Sequence, residues 1–268
     1  KPKSDSGDKK SKSDDDSGSD DSKDNDSESD SGSFEQFGQK ESAGIATIST
    51  GGVPHIHRGN GLVPGVFNEN DLQNLPGNMA IGHTRYSTTG ISSIENAQPV
   101  HASGPNGDIY LAHNGNIVNS LDLRIELEEL GATFTTTTDS EVAAVLLANI
   151  SGDSWETRIK SFMNRAKGSY SITLLTEKEI YAFRDPLGFR PLCFGSLDEG
   201  WVVASETCAL DNVGAVLERD IAPGEIIRFN DEGYHSTIGK IQKSKFCIFE
   251  NIYFARPDSI LDGTREIG

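Results

Sequence analysis

The chain has 268 residues, of which 35% are hydrophobic, and a formal charge of −17 at pH 7. This charge, with no basic stripe anywhere, excludes nonspecific nucleic-acid binding, because phosphate contacts need lysine and arginine. Three cysteines argue against a disulfide framework and suit a reducing compartment. There is no apolar run of membrane-spanning length and no charged-then-apolar leader, so the expectation is a soluble, cytoplasmic protein without a membrane partner. A start at Lys1 rather than Met is what a fragment or a processed product would show.

Residues 1–33 hold almost nothing but Ser, Asp, Lys, Gly and Glu. Such a stretch buries too little apolar surface to offset its ordering entropy, which predicts a disordered tail, either merely solvated or phosphorylated for interaction. Residues 34–268 have ordinary globular composition and are expected to form one domain. Strands are predicted over Ala43–Ile48, Met79–His83 and Ile109–His113, the last running into an Asn114-Gly115 turn. Apolar residues at helical spacing then mark Leu121–Leu130, stopped by Gly131. A second helix begins at the cap sequence Thr138-Asp139-Ser140, and a third spans Trp155–Lys167 and is ended by Gly168. Strands return at Tyr170–Leu175, Ile180–Phe183, Leu192–Phe194, Trp201–Ala204 and Glu225–Phe229, with a helix start near Cys208. This order predicts an α+β fold with antiparallel sheets rather than alternating βαβ units.

Two short runs carry the chemistry: His83-Thr84-Arg85-Tyr86-Ser87-Thr88-Thr89-Gly90 and His113-Asn114-Gly115-Asn116. An arginine at a strand end can clamp a carboxylate with two parallel hydrogen bonds, although a lone Arg85 reads equally as half of a structural ion pair. Asn114 and Gly115 offer a side-chain amide and a backbone N–H to a developing oxyanion, or simply a hairpin turn. Asp139, after four threonines and before a helix, suits an N-cap by position and a substrate ammonium by chemistry. The run from Arg184 to Pro191 reads as a structural loop, tied by Arg and Asp and shaped by Pro and Gly.

Taken together, ESAGIATI at 41–48, AIGHTRYSTTG at 80–90, NAQPV at 96–100, LAHNGNIVN at 111–119, TTDSEV at 137–142, RDPLGFRPL at 184–192, VVASETCALD at 202–211 and FENIYFARPDSILDG at 249–263 resemble the amidophosphoribosyltransferases. Several of these motifs are shared with other N-terminal-nucleophile amidotransferases, whereas Tyr253–Ser259 is more particular to the purine enzymes. The resemblance implies a four-layer αββα sandwich of two antiparallel sheets. It implies glutamine hydrolysis in this domain, with ammonia passed to phosphoribosylpyrophosphate on a second domain to make 5-phosphoribosylamine for purine synthesis. Carried over by motif, Arg85 would hold the glutamine α-carboxylate and Asp139 its α-ammonium. Asn114 and Gly115 would form the oxyanion hole, and Thr88, in the Arg85 loop, would line the pocket.

The chain also departs from that pattern. The family opens on a cysteine nucleophile whose free α-amine is the base. Here Gln36-Phe37-Gly38-Gln39-Lys40 precede Glu41-Ser42-Ala43-Gly44, and a His-Arg pair that would help bind glutamine is missing. Gly263-Thr264-Arg265 is not the phosphate-cradling loop of the transferase domain. The expectation is therefore an amidotransferase domain truncated at both ends, inactive alone and meeting phosphoribosylpyrophosphate only through a missing domain. The competing readings are a dead glutamine-binding or interaction domain and a different amidotransferase of the same class. No cofactor is expected in this chain. Mg²⁺ would belong to the transferase domain, and the Cys247 position, a cluster ligand in some relatives, is read as structural because an iron–sulfur cluster needs about four cysteines. The intact protein is expected to be a homo-oligomer.

Overall fold

The computed structural model describes residues 41–86, 93–198, 200–245, 247–248, 250, 254–261 and 264–265. The acidic tail at 1–33 and the candidate Thr88 lie outside these residues. The chain opens with β1 (Glu41–Ile48), the centre of an antiparallel three-stranded sheet flanked by β2 (Pro54–Asn60) and β3 (Met79–Tyr86). Two short helices, α1 (Val63–Val66) and α2 (Glu69–Gln73), bridge β2 to β3. The register sets Ser42 beside Arg85, Gly44 beside His83 and Ala46 beside Ile81, so these side chains share one face.

A 3₁₀ turn at Ile94–Asn96 leads to β4 (Val100–Gly104) and β5 (Gly107–Ile117). Three helices follow: α3 (Ser120–Glu129), α4 (Asp139–Asn149) and α5 (Trp155–Arg165). The chain then returns through β6 (Gly168–Leu175) and β7 (Ile180–Arg184). Next come β8 (Cys193–Leu197), β9 (Gly200–Ala204), α6 (Thr207–Val213), β10 (Val216–Asp220), β11 (Glu225–Asn230) and β12 (Gly233–Ile238). A short hairpin, β13 (Ile260–Leu261) and β14 (Thr264–Arg265), is the last element described. The large antiparallel sheet has the order β12-β11-β7-β6-β5-β4, and a smaller one has the order β10-β8-β9. The α+β class with antiparallel sheets stands as expected.

Strand alternation on β5 divides the core. Ile109 and Leu111 pack with Ile172 and Leu174 under the helices, whose contributions include Leu123, Val142, Leu146, Leu147, Ile159 and Phe162. Tyr110 and Ala112 face the other way and, with Leu175, pack against Ala46, Ile48 and Ile81 of the three-stranded sheet. A third cluster joins Ala182, Ile227 and Phe229 to Phe194 on β8, and beyond it Cys193 packs with Leu210 and Ala215 beside α6. Each large side chain so buried contributes on the order of 2 kcal/mol, and these faces are what align the strands.

One expectation fails here. Asn114-Gly115 is no hairpin turn, because β5 runs on to Ile117 and pairs with β6 residue by residue, Asn114 opposite Ser171 and Gly115 opposite Tyr170. The long-range ladder overrides the local turn signal, and only glycine suits position 115. Its φ is +152°, and a Cβ there would overlap the Ser169 carbonyl and the Tyr170 Cα. Asn-Gly thus serves a close strand crossing, not a reversal.

Candidate active site

The interface between the three-stranded sheet and the large sheet is apolar at one end and polar at the other. Along the inward face of β1 and β3, the run Ile48, Ala46 and Ile81 gives way to His83, Ser42 and Arg85. On β5 the face carrying Tyr110 and Ala112 continues to Asn114. Ser42 is 2% exposed, and its hydroxyl, Nδ1 of His83 and Nη1 of Arg85 are buried without a hydrogen-bond partner among the described residues. Buried polar atoms are normally paired, so a cluster of unpaired ones marks a place where sequence serves something other than folding. Arg85 forms no ion pair among the described residues. The Asn114 carboxamide likewise makes no hydrogen bond among the described residues.

His113 organises the strand from behind. Its N–H donates to the buried Gln98 Oε1 at 2.7 Å, while its carbonyl accepts from Gln98 Nε2 at 3.2 Å and from His83 Nε2 at 3.1 Å. A carbonyl only accepts, so Nε2 of His83 carries the proton and Nδ1 is left bare. Burial first, then the neighbouring His113 ring, hold His83 down to about 4, so it is neutral at pH 7. The His113 imidazole, 4% exposed, is also held below its usual range by burial, opposed by the nearby Asp139. Its Nδ1 lies 3.1 Å from Ser140 Oγ and 3.9 Å from Asp139 Oδ2.

Asp139 begins α4, but the cap is Thr138, whose Oγ1 accepts from Glu141 N–H at 3.3 Å. The capping role foreseen for Asp139 therefore belongs one residue earlier, and the Asp139 carboxylate is turned to β5, where Oδ2 accepts from Ile117 N–H at 2.9 Å. The threonine run is wrapped on Glu141, whose two oxygens accept from the N–H and hydroxyl of both Thr135 and Thr136. That network fixes the approach to α4.

The 184–191 loop packs against β6 beside the same strand. Asp185 is fully buried and accepts four backbone N–H groups, from Tyr170, Leu187, Gly188 and Phe189. The Arg184 guanidinium is satisfied by the carbonyls of Gly188, Arg190 and Ile221. Ser171, opposite Asn114, donates to the Arg190 carbonyl at 3.1 Å. The loop is structural, as its composition predicted.

Residues 83–212 match a family profile described as a glutamine amidotransferase domain. An amidophosphoribosyltransferase of Synechococcus elongatus is 47% identical over 231 residues, covering 84% of this chain and 47% of that protein. One from Archaeoglobus fulgidus is 45% identical, covering 84% of this chain and 49% of its own length. The solved glutamine phosphoribosylpyrophosphate amidotransferase of B. subtilis, complexed with ADP and GMP, superposes with a TM-score of 0.77 at 40% identity, covering 86% of this chain and 50% of that one. Over 84% of its length the chain is similar to amidophosphoribosyltransferases.

It spans about half the length of the curated relatives it matches. Within the described residues Asn114 and Gly115 lie on β5, and the Asp139 carboxylate at the start of α4 is anchored to the same strand at Ile117. It sets β3, with Arg85, against that strand through the His83–His113 bond. Ser42, His83, Gln98, His113 and Ser140 were given no role by sequence reasoning. His83 and His113 sit inside the two runs that were singled out, but their value depends on partners 30 and 27 residues away. Cys193 is buried in β8, Cys208 is buried in α6 and Cys247 is half-buried. Among the described residues no three His, Cys, Asp or Glu side chains gather in a metal-holding group.

Proposed function

We propose that this chain is the glutamine-hydrolysing domain of an amidophosphoribosyltransferase, releasing ammonia that a second domain adds to phosphoribosylpyrophosphate to form 5-phosphoribosylamine. The observation that carries the reading is the polar end of the sheet interface, where a buried arginine nitrogen, unpaired among the described residues, shares a face with His83 against the strand of Asn114 and Gly115, to which Asp139 of α4 is anchored. Arg85 pairs with the α-carboxylate of glutamine and Asp139 with its α-ammonium, which leaves the carboxamide to Asn114 and Gly115. As the carboxamide oxygen gains charge, an Asn N–H and a Gly N–H set in advance on a rigid strand cost no reorganisation. Thr88 would line the same pocket. The four-layer αββα arrangement is supported by the packing sequence of α3–α5, the large sheet, the two smaller sheets and α6.

Isothermal titration of the 268-residue chain with L-glutamine, beside Arg85→Met and Asp139→Asn, tests the pocket. Saturable binding weakened at least about tenfold by each change supports it. Absence of heat with the folded wild type, or variants that bind as well as it does, refutes it. Ammonia release in the same samples separates a catalytic domain from one that only binds.

A further inference from the structure

The flanks of the Asn114-Gly115 pair are both tied to the start of α4. On one side the His113 ring meets Ser140 at 3.1 Å and Asp139 at 3.9 Å; on the other, Ile117 N–H donates to Asp139 at 2.9 Å. The backbone of His113 is held by three hydrogen bonds, its N–H donating to Gln98 and its carbonyl accepting from Gln98 and His83. A ring fixed to so rigid a base transmits the place of β5 to the helix N-terminus. Ser140 and the His113 ring are both buried, at 4% exposure each, so no water competes for the contact.

We propose that His113 is a positioning residue that sets the Asp139 carboxylate at a fixed distance from the Asn114-Gly115 donors. It touches no substrate. It acts through Ser140 and Asp139, so that a ligand gripped at its ammonium presents its carboxamide at the right depth. The inference rests on the reading of Asp139 as the ammonium ligand, and it adds a residue which that reading does not require.

Two measurements decide it. Calorimetry compares L-glutamine with 5-amino-5-oxopentanoate, the same molecule without its α-ammonium, on wild type, His113→Phe and His113→Asn. The asparagine Oδ1 takes the place of Nδ1, whereas phenylalanine keeps only the volume. The expected result is an affinity for L-glutamine at least tenfold weaker in His113→Phe, a change below threefold for the des-amino ligand, and His113→Asn within threefold of wild type for both. Equal losses for the two ligands, or none, overturn the proposal. Amide hydrogen exchange supplies the arm that needs no ligand. Ile117 N–H should exchange at least tenfold faster in His113→Phe, with Ile172 in the middle of β6 unchanged. Unaltered exchange at Ile117, or equal acceleration at Ile172, also overturns it. If folded wild type binds no L-glutamine, the substrate reading fails, and the exchange result still decides whether His113 holds Asp139.

Discussion

Acidification should destabilise the fold through His83 before any carboxylate adds to the loss. In the unfolded chain this histidine titrates near 6.5, and in the fold burial and the adjacent His113 lower it to about 4. A base whose folded value is depressed takes up its proton more readily when unfolded, so its stabilising contribution is complete above pH 6.5 and fades as the pH falls toward 4. The linked loss is about 2 kcal/mol by pH 5 and about 3 kcal/mol by pH 4. His113, depressed by the same burial, adds in the same direction. Glu141 and Glu225, held below the usual carboxylate range by their hydrogen bonds against the cost of burial, act only below about pH 4.5, while Asp185 and Glu250 are raised by burial and act oppositely. Urea unfolding followed by the fluorescence of Trp155 and Trp201 at pH 7, 6, 5 and 4 measures this window. His83→Gln keeps a donor for the His113 carbonyl but does not titrate, so its loss between pH 7 and 5 should be smaller by about 2 kcal/mol. An identical pH profile in the two proteins would refute the reasoning.

Three further outcomes follow from single contacts. Gly115→Ala forces a side chain onto a φ of +152° and into the Ser169 carbonyl, and should cost about 3 kcal/mol or more in urea unfolding. Asp185→Ala strips the N–H groups of Tyr170, Leu187 and Phe189 of their acceptor, while that of Gly188 keeps the Asp185 carbonyl, and should lower stability by about 3 kcal/mol, against about 0.5 kcal/mol for an exposed aspartate such as Asp153, measured the same way. Cys193, buried and with its thiol pushed up to about 12 chiefly by burial, should resist iodoacetamide at pH 8 while half-buried Cys247 is alkylated; mass spectrometry of tryptic peptides reads the order.

The strongly patterned elements were legible because their signals are local. The short apolar run Ala43–Ile48 became part of β1, Gly131 ended α3 with a φ of +93°, and the apolar run after Thr138 became the almost wholly buried α4. The edge strands β2, β4, β10 and β12 were not predicted; a partly exposed one such as Pro-His-Ile-His-Arg-Gly-Asn at 54–60 carries polar residues on both faces. The predicted helix to Lys167 stops at Arg165, where the Asn119 side chain takes the Arg165 carbonyl and the Lys167 N–H from across the fold.

By itself the sequence determined the α+β class, the motifs of the family and the residue types able to grip an amino acid, since each depends on neighbours within a few positions. Only the tertiary structure decided that Asn114-Gly115 is strand and not turn, that Thr138 caps α4 and frees Asp139 for β5, and that His83 meets the His113 carbonyl between the two sheets. Those outcomes come from backbone pairing and burial between segments tens of residues apart. A chain read in order carries the donors and acceptors, but folding alone chooses which of them meet.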